Sequence, residues 1–394
     1  MSIQSLSLYV HIPFCSTRCG YCHFNTYEGL DRLFTPFAQA LCAESGQYAD
    51  ALADQWIVQT IFIGGGTPTH LPIACFEQIV HALKARWPLT EGIEITAEAN
   101  PSFITQAYLE RMRAAGVNRI SFGAQSFDNT LLHMLDREHD AAQIGLAVRL
   151  ARAAGFENLS LDLMYGLPSQ SLSQWRDSLE AALALAPEHL SLYGLTIDDG
   201  TAFKKRVEWH LLPEPDPDLA ADMYIHAEDR LAQAGYVQYE ISNWARKTDD
   251  ADAQTNARPL LASRHNLTYW LNEPYLGFGP GAHSWFARER YWNANPPQEY
   301  VDRLAAGASV IGGRETIDEA LEQAETVILG LRLNAGLSRA RFAQRFGMAL
   351  DNVFGAPLAQ CAKWDLLTDD GERVRLTPRG RLLSNEVFVR LLPD

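Results

Sequence analysis

The chain has 394 residues, 47% of them hydrophobic, enough to bury a large core and to form one big domain with one or two smaller ones. With 33 Lys and Arg against 48 Asp and Glu the formal net charge is -15, a poor match for phosphate backbones, so nucleic acid is not an expected partner. The opening MSIQSLSLYV lacks the features of a secretory signal, and no apolar run reaches the length of a membrane helix, so a cytoplasmic location is expected, where thiols stay reduced.

Short β-branched runs alternate with amphipathic stretches as far as about residue 195. The predicted strands are LSLYVHI, VQTIFIG, IEITAEA, VNRISFG, LSLDLMYG and HLSLYGL. Helical patterns follow, among them FTPFAQALCAESGQYADALA, PIACFEQIVHALKARW and TQAYLERMRAAG, several ending at Gly. Six such units predict an α/β fold with a parallel sheet and helices outside it. A doubly wound open sheet shares this pattern, but the first strand-to-helix turn lacks the dinucleotide fingerprint.

Polar residues gather at the predicted strand ends. These are the cysteine loop after strand 1, GGGTPTH after strand 2, Glu98 and Asn100, Gln125, Asp162, and Tyr193. In a complete or partial β/α barrel these ends meet on one face, where active sites lie.

Beyond residue 195 the alternation stops. HLLPEPDPDLAADMY predicts a surface connection and then a helix, and KTDDADAQTNAR, 247–258, a mobile loop. From about residue 300 come helices in LEQAETVILGLRL and RARFAQRFG, a hairpin in LLTDDGERVRLT, and an N-cap at Thr377-Pro378. The expected division is a barrel over 1–235, a connecting segment over 236–300 and a smaller α+β domain over 301–394.

In CSTRCGYCHF, residues 15–24, three cysteines can wrap one corner of a cubane iron–sulfur cluster and leave one iron open to another ligand. A structural zinc site completed by His11 or His23 fits the same residues. Cys42, Cys75 and Cys361, scattered among apolar helical residues, read as core. GGGTPTH, 64–70, lets backbone approach a ligand closely but lacks the Lys-Ser/Thr of a phosphate loop. RHNLTYW, 264–270, joins an imidazole to aromatics, a pattern that by itself reads as a hydrogen-bonded core histidine, and His283 lies in a Gly-rich loop.

YVHIPFC followed by CxYC, with GGGTP one unit later, resembles the radical S-adenosylmethionine superfamily. The resemblance is to the branch containing oxygen-independent coproporphyrinogen III dehydrogenase and the HemW heme chaperones, and it covers essentially the whole chain. It implies a partial (β/α)6 TIM-like barrel with a C-terminal winged-helix-like domain. It also implies a 4Fe-4S cluster on Cys15, Cys19 and Cys22 whose open iron binds S-adenosylmethionine; in that family one electron from the cluster cleaves the sulfonium to methionine and a 5'-deoxyadenosyl radical.

The resemblance carries over residue by residue. Tyr9 and Tyr21 match aromatics at the cofactor site, Gly65 and Gly66 the turn facing the methionine moiety, and Glu98 a cofactor-binding carboxylate. Gln125, Arg137 and Asp162 match polar residues that surround a second S-adenosylmethionine in the dehydrogenase. HNLTYW resembles the chaperones' HNxxYW motif, which makes His265 the expected heme-site residue.

Phe24 separates the two branches. The dehydrogenase resembles CxxxCxxCxC, and this chain has Phe24 at the last cysteine, which favours a heme chaperone over a decarboxylating enzyme and leaves no residue assigned a catalytic role. The implied partners are heme and acceptor hemoproteins such as membrane respiratory enzymes. Delivery to those would need a peripheral membrane contact, for which no amphipathic anchor is evident. Whether S-adenosylmethionine is cleaved, and whether the chain forms a homodimer, stay open at this point.

Overall fold

The structure, a computed structural model, describes residues 4–102, 104–248 and 260–393. Most of the loop expected at 247–258 lies outside the described residues. The chain forms two compact units, one of Met1–Ala227, Pro274–Phe286 and Arg290–Glu315, the other of Glu228–Glu273, Ala287–Glu289 and Thr316–Asp394.

In the first unit, strands β1 (Gln4–Ile12), β2 (Trp56–Gly65), β3 (Leu89–Ala99), β4 (Arg119–Gln125), β5 (Asn158–Tyr165) and β6 (His189–Gly194) lie side by side in sequence order, each parallel to the next. Helices α1 (Phe34–Leu52), α2 (Ile73–Arg86), α3 (Gln106–Ala115), α4 (Asn129–Met134), α5 (Ala141–Ala153) and α6 (Leu172–Ala184) fall in the crossovers. The boundaries follow local chemistry. Thr105 caps α3 through Tyr108 N–H, and Gly116 ends it in the left-handed region at φ 119°. Capping boxes Asp140/Gln143 and Ser171/Gln174 start α5 and α6.

Leu6, Leu8, Val10 and Ile12 of β1 are fully buried, and Ser7 between them is buried too, as expected of a parallel strand covered on both faces. On its other edge β1 pairs in parallel with Tyr275–Phe278, and strands His283–Phe286, Glu289–Asn293 and Ile311–Thr316 extend the sheet beyond it. Because β1 pairs with Tyr275–Phe278 rather than β6, the six units form a partial, TIM-like barrel and not a closed one. The short helix α4 has no counterpart among the sequence expectations.

The segment expected to be a connection, 236–300, divides instead between the two units, because residues 274–286 join the sheet of the first. A buried carboxylate on α1 holds this return. Glu44 accepts hydrogen bonds from Tyr300 Oη at 2.5 Å, Asn293 Nδ2 at 2.6 Å and Gly279 N–H at 3.0 Å.

The second unit carries the antiparallel pair Tyr236–Glu240 and Asn243–Arg246 and the helix Arg264–Trp270. Its C-terminal part runs helix Glu319–Arg332, strand Leu337–Ser338, helices Arg339–Phe346 and Asp351–Lys363, and the hairpin Leu367–Asp369 with Arg373–Leu376. That is a winged-helix-like order around a core of Val327, Leu331, Phe342, Phe354, Cys361 and Val374. Thr377 accepts from Gly380 N–H at 2.8 Å, the cap expected from Thr377-Pro378. Cys75 and Cys361 are core as expected, whereas Cys42 is only half-buried, since its face of α1 reaches the surface.

Burial pushes the Glu44 carboxyl from its ordinary 4.5 up to about 7, against its three donors. A raised folded-state pKa stabilises fully below pH 4.5, and that contribution is lost as pH rises through about 7. Glu44→Gln removes the titration. Thermal melts from about pH 4.5 to about pH 8 are therefore expected to show the stability difference moving in the variant's favour as pH rises, by about 3 kcal/mol at most. A difference constant across that range would exclude titration of Glu44.

Candidate cluster and cofactor site

The cysteine loop follows β1 and is pinned at several points. Cys15 N–H donates to Tyr27 O at 3.0 Å, and Cys22 N–H to Cys19 O at 3.0 Å. Ser16 and Thr17 hydroxyls donate to the Glu138 carboxylate at 2.5 and 2.8 Å, and Arg18 N–H donates to Glu28. Beside it the glycine turn leaves β2, with Gly66 N–H on Ile12 O at 2.7 Å and Thr67 N–H on Phe14 O at 2.8 Å. The turn requires glycine. Gly65 has φ 111°, and a Cβ on Gly66 would lie 2.6 Å from Phe14 O and 3.0 Å from Cys15 Sγ.

A cavity of about 390 Å³ opens at this end of the strands. It is lined from all six strand ends: the three cysteines, Gly65 and Gly66, Glu98 and Asn100, Gln125, Asp162, and Tyr193. Tyr21 and Arg137 line it as well. The strand-end groups expected on one face therefore do line one cavity, whereas Tyr9, His265 and His283 are not among its lining residues. The Tyr9 hydroxyl meets His11 Nδ1 at 2.9 Å and its ring stacks on Phe62. His265 belongs to the second unit, 1% exposed, with Nε2 2.9 Å from Tyr269 Oη, and burial pushes its pKa down to about 3. His283 is exposed and stacks on Trp292.

The electrostatics of the cavity set two half-buried acids beside one half-buried cation. Glu98 Oε2 accepts from Gly65 N–H at 3.0 Å, and burial, then the Asp162 charge, push its carboxyl up to about 8. Asp162 is raised by burial against donation from Ser121 Oγ at 3.0 Å. Two enclosed carboxyls raised in this way favour a ligand that brings positive charge or hydroxyl donors.

Arg137 reaches the cavity because Asp128 caps α4, and Asp136, left-handed at φ 57°, turns the chain back. Its guanidinium donates to Gly123 O at 2.8 Å and to Cys19 Sγ at 3.3 Å. Gln125 sits at φ 63°, an unfavourable region for a residue with a Cβ, where β4 shifts register against β5.

The donor set separates the two metal readings. Both His11 nitrogens are engaged, by Tyr9 Oη and by Asn25 O at 2.9 Å, and His23 Nδ1 is 2.9 Å from Asp198. Three thiols around a cavity, with Arg137 beside Cys19, suit instead a cluster in which each thiolate takes a different iron. Burial pushes the Cys15 thiol up to about 11, while Thr67 Oγ1 donates to its sulfur at 3.6 Å.

Two residues here carried no sequence signal of their own. Thr67 was legible only as part of a turn. His139, buried with Nε2 on Ala124 O at 3.0 Å and Nδ1 3.5 Å from Arg137, is recognisable only from the folded contact.

A partial β/α barrel opening on three thiols, a glycine turn and half-buried carboxylates is the architecture of a radical SAM protein. The Radical SAM superfamily profile matches residues 9–182, and that of the HemN C-terminal domain matches 320–383. Heme chaperone HemW of Bacillus subtilis (strain 168) is 36% identical over 389 residues, 98% of this chain and 99% of that one. Radical S-adenosyl methionine domain-containing protein 1, mitochondrial, of Bos taurus is 32% identical over 99% of this chain and 88% of its own length. Among solved structures, coproporphyrinogen III oxidase (HemN) from Escherichia coli, a radical SAM enzyme, superposes with TM-score 0.85 at 25% identity, covering 99% of this chain and 90% of that one. The chain belongs to the radical SAM superfamily and, within it, to the family of the HemW heme chaperones.

Gly66→Ala drives a methyl group into Cys15 and Phe14. Iron and sulfide retained after anaerobic reconstitution are expected to fall below about half of the wild-type values, with far-UV circular dichroism unchanged. Wild-type retention would exclude this close approach.

Proposed function

We propose that the protein is a heme chaperone that holds a 4Fe-4S cluster and S-adenosylmethionine in the barrel and heme on the second unit, and passes heme to acceptor hemoproteins. Similarity to heme chaperones over nearly the full length of both chains carries this reading. Cys15, Cys19 and Cys22 would hold the cluster, which when bound supplies the electron for cleaving a sulfonium. Glu98 and Asp162 would orient the ammonium and hydroxyl groups of S-adenosylmethionine, and Arg137 would offset thiolate charge at Cys19. Gly65 and Gly66 would admit the methionine moiety, with Tyr21 and Gln125 completing the wall. Tyr9 would act from behind, through His11.

Heme would be held at the HNLTYW segment with His265 as the site residue. The division of labour we propose follows the two compact units. Membrane respiratory enzymes as acceptors, contact with the membrane surface, a homodimer and residence in the cytoplasm belong to the same proposal. No helix among the described residues is long and apolar enough to cross a membrane.

Coproporphyrinogen III dehydrogenation is the second reading, favoured by the superposition on that enzyme. Phe24 speaks against it. It is 57% exposed and lines the cavity where that enzyme's pattern has a further cysteine.

The deciding measurement is an anaerobic hemin titration of the cluster-reconstituted protein by Soret difference absorbance, wild type beside His265→Ala. Saturable binding that the variant weakens about tenfold or alters spectrally is expected. Absence of saturable binding would overturn the chaperone reading and turn attention to coproporphyrinogen III turnover. Separately, Cys19→Ala is expected to abolish cluster absorbance while leaving hemin affinity within about twofold, because the two ligands are assigned to different units.

A further inference from the structure

We infer that the second unit anchors the carboxylates of a porphyrin in a cationic cleft beside the HNLTYW segment, with Arg373 as the central contact. The inference rests on the heme-binding reading and adds which part of the ligand is recognised, and by which residues.

The cleft has a volume of about 640 Å³. Tyr236, Val237, Leu376 and Pro378 give it apolar walls, and Lys247, Arg373, Arg375 and Arg381 give it four cations, with no Asp or Glu among the described residues of its lining. That is unexpected on a chain whose net charge is -15. Arg375 and Arg381 pair at 2.5 Å with Asp370 and Glu228, carboxylates set outside the lining. Arg373 is different. Its Nη1 donates to the carbonyls of Gly336 at 3.1 Å and Ala335 at 3.4 Å, which orient the guanidinium without neutralising it. Gly336, at φ 74°, lies close against the strand that carries Arg373, since a Cβ there would lie 2.3 Å from Val374 O. Lys247 is exposed at the cleft's edge.

A second, smaller hollow of about 80 Å³ shares Ala335 and Arg373 with the cleft and is lined also by Trp270, the last residue of HNLTYW. Trp270 Nε1–H is buried without a hydrogen-bond partner among the described residues. A buried donor left unpaired costs free energy that a ligand oxygen would recover. Arg373 thus stands between an apolar, cation-rimmed cleft and an unsatisfied donor of the motif.

This combination selects an amphipathic anion. A porphyrin is a flat apolar disc with its carboxylates on one edge, and it uses both the walls and the cations. Inorganic phosphate would leave the walls unused, and an acidic peptide would leave them largely unused.

The test uses the full-length, cluster-reconstituted protein and two probes, hemin and hemin dimethyl ester, whose carboxylates are masked. The ester is expected to bind at least about tenfold more weakly than hemin. Arg373→Gln and Lys247→Glu should each weaken hemin by about tenfold and leave ester affinity unchanged. Lys247→Glu lies on the surface, so it keeps the test decisive should Arg373→Gln fold poorly.

Equal affinity for hemin and ester, or hemin affinity unmoved by Lys247→Glu, would overturn the inference while leaving heme binding intact. Displacement of wild-type-bound hemin by polyglutamate at stoichiometric concentration would overturn it in favour of an acidic partner. No saturable hemin binding by the wild type would overturn both this inference and the reading on which it rests.

Discussion

The constraint on which the site depends is the parallel register of β1 and β2. Ile12 stands opposite Gly65, so the loop that leaves β1 and the turn that leaves β2 emerge side by side. Two backbone hydrogen bonds, Gly66 to Ile12 and Thr67 to Phe14, extend that pairing past the strand ends. The turn must then pass within contact distance of Cys15 Sγ, and side chains beyond Cα have no room there. A slip of one residue would turn both sets of side chains to the opposite face of the sheet. The four other strands inherit the arrangement, because each crossover returns the chain to the same end of a parallel sheet.

Charge inside the cavity is arranged before any ligand arrives. Burial raises the cost of ionising Glu98 and Asp162, the Asp162 charge raises that of Glu98 further, and Arg137 stands against Cys19. The cost of keeping these groups out of water is offset by fixed partners: a backbone N–H for Glu98, serine hydroxyls for Asp162, and a carbonyl for Arg137. Left-handed Gln125 and Asp136 show the backbone held in unfavourable conformations where it enters this site, as expected when the surrounding strands over-determine it.

The second unit answers a different physical problem. Its core is built from a winged-helix-like module, yet its concave surface gathers arginines whose partners are backbone carbonyls or carboxylates set outside the cleft. His265 is enclosed and hydrogen-bonded to Tyr269, and burial lowers its pKa. His265 and Tyr269 of one short helix therefore act as a packed pair rather than as separate side chains.

Much of this was legible in the sequence. Short β-branched apolar runs, amphipathic stretches and Gly after helices placed the six strands and most of the helices, because each signal acts over a few residues. Cys15, Cys19 and Cys22, with the glycines one unit later, located the site, since close spacing is local information. The sequence did not disclose that Tyr275–Phe278 would lie beside β1, that Glu44 would bind Gly279, Asn293 and Tyr300 more than two hundred residues away, or that His139 would support Arg137. It also did not reveal that Tyr9 would turn to His11 and that Arg373 would join two hollows. Local steric and hydrogen-bonding preferences determine elements, whereas contacts between distant segments depend on which surfaces the closed core brings together, and only the tertiary structure decides those.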